Sequence, residues 1–111
     1  MHTRIKICGI TSLDVALDAV DAGVDALGFN MFESSSRYIG IEDTKEILNA
    51  LPSSVIKVGL FVNHGYKEVR SAIENCPFDL LQFHGSEDNT FCDSFPLPFL
   101  KAIPFVSKDE T

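Results

Sequence analysis

Strand-like and helix-like periodicities take turns along almost the whole of this chain, and that alternation restricts its fold more than any single residue does. Residues 4–8 place Ile5 and Ile7 on one face and Arg4, Lys6 and Cys8 on the other, the period of a strand. Gly9 allows a turn, and Thr11 or Ser12 is placed to cap a helix over 12–23. In that helix Leu13, Ala16, Leu17 and Val20 recur at helical spacing, Asp14 lies in the first turn and Gly23 ends the run. Further strands read over 24–30, 55–62, 79–83 and 98–105, and further helices over 42–51, 66–76 and 86–95. Pro52 stops the second helix, and Asn63 and Gly65 break the strongest strand before the third. A short repeat relates 24–30 to 78–84. Strands that alternate with helices and cross over right-handed make a parallel sheet covered by helices.

Such a sheet is either open and doubly wound or curled into a barrel, and side-chain parity separates the two. With Ile5, Ile7, Leu27, Phe29, Val58, Leu60, Val62, Leu81 and Phe83 facing the helices, the other face carries Lys6, Cys8, Gly28, Asn30, Lys57, Gly59, Phe61, Asn63, Gln82, His84 and Lys101. A doubly wound sheet needs apolar residues on both faces, whereas a barrel interior turns polar toward its mouth. The expected class is therefore α/β, a parallel (βα)4β half of a TIM barrel. A closed barrel of eight strands takes ~250 residues, and this chain has 111, so one partial domain over 1–111 is expected. Ser107 precedes Glu110 by three residues, a capping box for a helix that does not follow, and the chain reads as cut after its fifth strand. Open strand edges and an uncovered inner face would favour association.

Composition excludes several classes. With 45% hydrophobic and 23% charged residues, the chain has the make-up of a folded domain rather than a disordered one. No apolar run approaches the ~20 residues of a membrane helix, and Arg4 and Lys6 are not followed by the apolar stretch of a signal peptide. Cysteines at 8, 76 and 92 fit neither a disulfide framework nor a zinc site, so all are read as free thiols in a cytoplasmic protein. A formal charge of -7 argues against a nucleic-acid partner but leaves room for a single phosphate monoester.

Four segments then resemble the N-terminal half of phosphoribosylanthranilate isomerase, a (β/α)8 enzyme of tryptophan biosynthesis. They are KICGIT at 6–11, GVDALGF at 23–29 leading to Ser35, Ser36, Arg37 and Tyr38, KVGLFVN at 57–63, and LLQFHG at 80–85; KAI at 101–103 falls where the family's fifth strand would be. The resemblance implies an Amadori rearrangement of N-(5-phosphoribosyl)anthranilate to an aminodeoxyribulose phosphate, with no metal and no organic cofactor. It makes Cys8 the general base on the sugar C2 proton, gives Arg37 the anthranilate carboxylate, and puts His84 in the site lining. It also implies that the general acid, an aspartate, and the phosphate loops belong to strands six to eight, which this chain does not contain. The loop before Arg37 departs from the family, since Phe32 to Ser36 holds Glu33 where a proline and a lysine are usual.

Every candidate also has a plainer reading. A cysteine in a strand is often a small buried hydrophobe, but Cys8 stands at a strand's carboxyl end, where parallel folds hold their chemistry. Lys6, two residues away on the same face, either helps to hold a thiolate against a free-thiol pKa of ~8.5 or pairs with a carboxylate. Arg37 is either a solvated loop charge or a planar fork for a carboxylate, and His84 either closes a turn or lines the site. Asn30, with Asn63 and Gln82, is a secondary substrate-binding candidate beside the reading of a polar strand end. Asp14, Asp25 and Asp79 open a helix or strands at the opposite end and replace no missing acid. Two alternatives to an active isomerase remain: a non-catalytic half that pairs with itself or with a complementing C-terminal half, and another phosphosugar isomerase or epimerase barrel.

Overall fold

A computed structural model describes residues 5–101. Its elements run β1 (Lys6–Cys8), α1 (Leu13–Asp21), β2 (Ala26–Asn30), α2 (Ile41–Ala50), β3 (Ile56–Phe61), α3 (Tyr66–Asn75), β4 (Leu80–Phe83), α4 (Asn89–Cys92) and β5 (Phe99–Lys101). All neighbouring strands are parallel, in the order β1-β2-β3-β4-β5. The expected half-barrel alternation is present, with elements shorter than the periodicities suggest, most of all α4, which has four residues where a helix over 86–95 was expected. The expected strand residues 102–105 and the Ser107 capping box lie outside the described residues.

Local chemistry accounts for the element ends. Ser12 Oγ accepts the Val15 N–H at 3.2 Å and opens α1. At its other end Gly23 N–H donates to Val20 O and Val24 N–H to Ala19 O, the paired bonds of a Schellman cap. Buried Ala16 and Ala19 bring α1 close to its neighbours, whereas Leu13 and Leu17, expected inward, are 38% and 39% exposed. The seam of α1 is thus made by its small residues, and its leucines are left uncovered by the described residues.

Aspartates that precede two strands fix their pairing. Asp25 N–H donates to Ile5 O at 2.8 Å while its Oδ2 accepts the Ile5 N–H at 2.7 Å. Asp79 does the same two βα units later, with N–H to Lys57 O at 2.7 Å and Oδ2 accepting Lys57 N–H at 2.9 Å. The repeat visible in sequence is therefore a repeated clamp at the amino ends of the strands.

The resulting register corrects the expected parity of β3. Paired residues in a parallel sheet share a face, and Gly28 pairs with Val58, Asn30 with Leu60 and Leu60 with Gln82. Val58 and Leu60 therefore face the interior with Ala26 and Leu80. Lys57, Gly59 and Phe61 face the helices with Leu27, Phe29, Leu81 and Phe83, and Lys101, paired with Phe83, joins them. The outer face is the main core, where Phe29, Phe61, Phe83, Leu27 and Leu81 are fully buried and Phe78 lies over Gly59. Lys57 is buried there because its ammonium reaches Val55 O at 3.1 Å and Pro52 O at 3.4 Å, with Asp79 Oδ2 at 3.9 Å. Polarity alone had grouped it with Lys6.

The clamp predicts a graded response. Asp79→Ala removes the acceptor of Lys57 N–H and the nearby charge, and should cost about 1–2 kcal/mol in urea unfolding. Asp79→Asn keeps an acceptor oxygen and should cost less than half of that, so equal losses for the two variants would mean that the backbone bond is not what Asp79 contributes.

Candidate active site

Cys8 closes β1 on the interior face, in register with Gly28. A β-carbon on Gly28 would lie 3.2 Å from Cys8 Sγ and 2.9 Å from Leu60 Cδ1, so the sulfur occupies space that only a glycine leaves. Immediately after it the chain turns at Gly9, whose φ is +84°, and the N–H groups of Gly9 and Ile10 both donate to Gly28 O, at 3.0 and 3.1 Å. Gly9 lacks a side chain for a second reason. A β-carbon there would collide with Arg37 Cδ and lie 3.3 Å from Arg37 Nε, which places the arginine stem across the turn next to Cys8.

The loop after β2 delivers that arginine. Asn30 Oδ1 accepts Phe32 N–H at 2.8 Å, Asn30 Nδ2 donates to Ser35 Oγ at 3.3 Å, and Ser35 Oγ accepts Arg37 N–H at 3.1 Å. Ile39 N–H then returns to Asn30 O at 3.0 Å. Asn30 is on the interior face as expected, with both ends of its amide bonded to the loop that carries Arg37. Ser35, a hub of this loop, enters the sequence reading only as part of the matched segment before Arg37, with no role of its own.

Lys6 crosses the bowl. Its ammonium donates to Gln82 Oε1, linking the first and fourth strands, and no carboxylate pairs with it among the described residues. His84 follows β4, its N–H donating to Phe61 O at 2.9 Å. Desolvation of its ring and, next, the nearby Lys6 charge lower its pKa from 6.5, against a smaller opposing effect of Glu87. Glu87 is buried with its carboxylate oxygens on the N–H groups of Asn63, at 2.6 Å, and Gly85, at 2.9 Å. Its place between two loop backbones was not legible from sequence spacing. The structure thus brings Cys8 and Arg37 together at one rim and joins Lys6 to Gln82 on the same inner face, with His84 within electrostatic reach of Lys6.

The other two cysteines pack. Cys76 is buried with its thiol donating to Ile41 O at 3.6 Å, and burial, then Glu42, push its pKa up to about 11 against the pull of Lys45. Burial likewise raises the pKa of Cys92. Cys8 is exposed. Among the described residues no group of three or more His, Cys, Asp or Glu side chains is arranged to hold a metal ion, and no helix is long and apolar enough to cross a membrane.

Two measurements test this geometry. A thiol reagent at neutral pH should label only Cys8 in the folded chain and all three cysteines in denaturant; labelling of Cys76 or Cys92 at a similar rate would contradict their burial. An NMR titration should place the His84 midpoint below 6.5, and Lys6→Met should raise it only part of the way, because desolvation is the larger cause. Between the lowered folded pKa and 6.5 the unfolded state binds more protons, so His84 should make the fold less stable as pH falls through that window.

Comparison with known proteins identifies the family. The sequence model of the N-(5'phosphoribosyl)anthranilate (PRA) isomerase family matches residues 5–110. N-(5'-phosphoribosyl)anthranilate isomerase of Hahella chejuensis is 51% identical over 102 residues, 92% of this chain and 48% of that protein, and the enzyme of Nitrosomonas eutropha is 48% identical over 103 residues, 93% and 50%. Among solved structures, phosphoribosyl anthranilate isomerase from Thermotoga maritima superposes with a TM-score of 0.87 at 36% identity, over 90% of this chain and 50% of that one. A phosphoribosyl anthranilate isomerase in complex with reduced 1-(o-carboxyphenylamino)-1-deoxyribulose 5-phosphate gives 0.91 at 36% identity, over 98% and 57%. The chain spans about half the length of the curated relatives it matches. With a family match that covers nearly all of its residues and a fold that repeats half of the solved barrels, this chain belongs to the N-(5'-phosphoribosyl)anthranilate isomerase family.

Proposed function

We propose that this chain supplies the general-base side of a phosphoribosylanthranilate isomerase active site, and that a complementing half of the barrel supplies the rest. The observation that carries the reading is that an exposed thiol and an arginine stem sit against successive positions of one strand end: Cys8 over Gly28, with Arg37 laid across Gly9. In the Amadori rearrangement the ribosylamine ring opens, C2 loses its proton, and the resulting enolamine becomes the ketone. A thiolate at Cys8 would take the C2 proton. The Arg37 guanidinium, always charged and planar, would hold the anthranilate carboxylate by paired hydrogen bonds. Lys6 and His84 would line the inner face toward the sugar, and Asn30 would act through the loop it holds. The protonation of the ring oxygen and the binding of the phosphate fall to the complementing half. This chemistry uses no metal and no organic cofactor.

The ligand of the solved relative supports this reading, since it joins a carboxyphenylamino group to a sugar phosphate, and those are the parts that Arg37 and the thiol would meet. Glu33, in the loop before Arg37, works against an anionic substrate and would weaken its binding. Three free thiols suit a reducing cytoplasm.

A surface observation supports the need for a second half. Among the described residues β1 and β5 each pair on one side only, and Ile5, Ile7 and Leu100 are 48%, 38% and 49% exposed. Unpaired edges beside uncovered apolar residues drive association, so residues 1–111 act as one partial domain that pairs with a complementing C-terminal half or, without it, with itself. The test is reconstitution with a separately expressed C-terminal half of a relative. Turnover of phosphoribosylanthranilate should appear on mixing and fall by at least about a thousandfold with Cys8→Ala, the scale of losing a general base. Turnover that survives Cys8→Ala would remove the thiol from the mechanism. Turnover by the unmixed chain would remove the need for a complementing half.

A further inference from the structure

We propose that His64 is a positioning residue that sets the loop carrying Arg37. This inference rests on the reading of Arg37 as the carboxylate-binding group. His64 lies just after β3, and its ring joins two of the loops at the strands' carboxyl ends. His64 Nδ1 accepts the Val62 N–H at 3.1 Å, and His64 Nε2 is 2.8 Å from Met31 O. A nitrogen that accepts from a backbone N–H carries no proton, so the proton is on Nε2 and is donated to Met31 O. The imidazole is therefore held in one tautomer as a bridge between the loop after β3 and the first residue after β2.

The bridge is fixed from several sides. Phe61 packs edge-on against the ring with centroids 5.2 Å apart, and Phe32, in the Arg37 loop, does so at 6.4 Å. Met31 is buried, and its N–H donates to Leu60 O at 2.9 Å. Its two backbone groups are thus tied to β3 and to the residue that follows it. Beyond Met31 the path to the arginine is short: Phe32 N–H to Asn30 Oδ1, Asn30 Nδ2 to Ser35 Oγ, and Ser35 Oγ from Arg37 N–H. Behind the bridge lies a cavity of about 540 Å³, lined by Phe32, Glu33 and Ser34 of the loop and by Lys67 and Ser71 of α3. The loop has open space to move into, and His64 is the side chain that spans to its first backbone carbonyl.

Two near-isosteres separate the two bonds. In His64→Asn the amide ends near the position of Nδ1, so it can accept from Val62 but cannot reach Met31 O. His64→Gln can present an N–H at the reach of Nε2. Hydrogen exchange on the 111-residue chain should show the amides of Phe32 and Arg37 exchanging several-fold faster in His64→Asn and close to the parent rate in His64→Gln. In the reconstituted pair His64→Asn should raise KM for phosphoribosylanthranilate by up to about tenfold, the value of one hydrogen bond, with kcat within about twofold, and His64→Gln should restore KM. Parent-like exchange at Phe32 and Arg37 in His64→Asn overturns the proposal, as does a Gln variant that exchanges as fast as the Asn one. The exchange readout needs no substrate. A parent pair that never turns over therefore counts against the isomerase reading alone, while faster exchange with an unchanged KM overturns the link from His64 to Arg37.

Discussion

Everything at the mouth of this half-barrel depends on which residues of neighbouring strands lie side by side, and two aspartate clamps at the other end decide that. Asp25 and Asp79 each donate to and accept from one residue of the preceding strand, Ile5 and Lys57, closing a two-bond ring before regular pairing starts. A slip of one residue would break both bonds of a ring and turn every side chain of that strand to the other face. A cost of that kind, incurred at two of the sheet's seams, is enough to select one register from alternatives that a run such as Ile56–Phe61, with apolar residues on each face, would otherwise tolerate. The exposed first and last strands make local clamps more important, because each has a partner on one side only among the described residues.

With the register set, the site follows from space rather than from strong bonds. Cys8 is beside Gly28, and the missing side chain of Gly28 is what admits the sulfur next to Leu60. One residue later the missing side chain of Gly9 admits Arg37. Two glycines thus shape adjacent notches at the end of β1, one for the thiol and one for the guanidinium stem. Both side chains stay exposed, so neither bears the desolvation that a buried ion pair would entail.

Much of this was legible in the sequence, and the failures have a common cause. The alternation of periods gave every element, and the reasoning that a thiol before a Gly-Ile-Thr turn sits at a strand's carboxyl end held. Parity failed at β3, because Val58, Leu60 and Phe61 are all apolar and only pairing with Gly28 and Asn30 shows which of them faces inward. Lys57 misled for a related reason: its charge suggested the polar face, while three oxygen atoms from Pro52, Val55 and Asp79 make the outer one habitable. Leu13 and Leu17 misled because helical spacing identifies an apolar stripe but not what covers it. The roles of Ser35 and His64 had no signal, since hydrogen bonds made by loop side chains leave no period in the chain.

The charge distribution completes the connection between fold and chemistry. A chain with a formal charge of -7 is an unpromising receptor for an anion until its cations are placed. Lys6 points across the inner face to a neutral amide oxygen, so its charge remains within the bowl, where it adds to the larger effect of desolvation in lowering the pKa of His84. Arg37 lies over the rim beside Cys8. Two carboxylates of the loops after β3 and β4 are held on backbone donors: Glu87 takes the N–H groups of Asn63 and Gly85, and Glu68 takes that of Gly65, whereas Glu33, in the loop before Arg37, is exposed. Carboxylates held by backbone donors keep these loops in place while their charge is partly answered by amide dipoles. Two cations on the inner face and rim give that part of the surface a local charge opposite in sign to the chain's net charge.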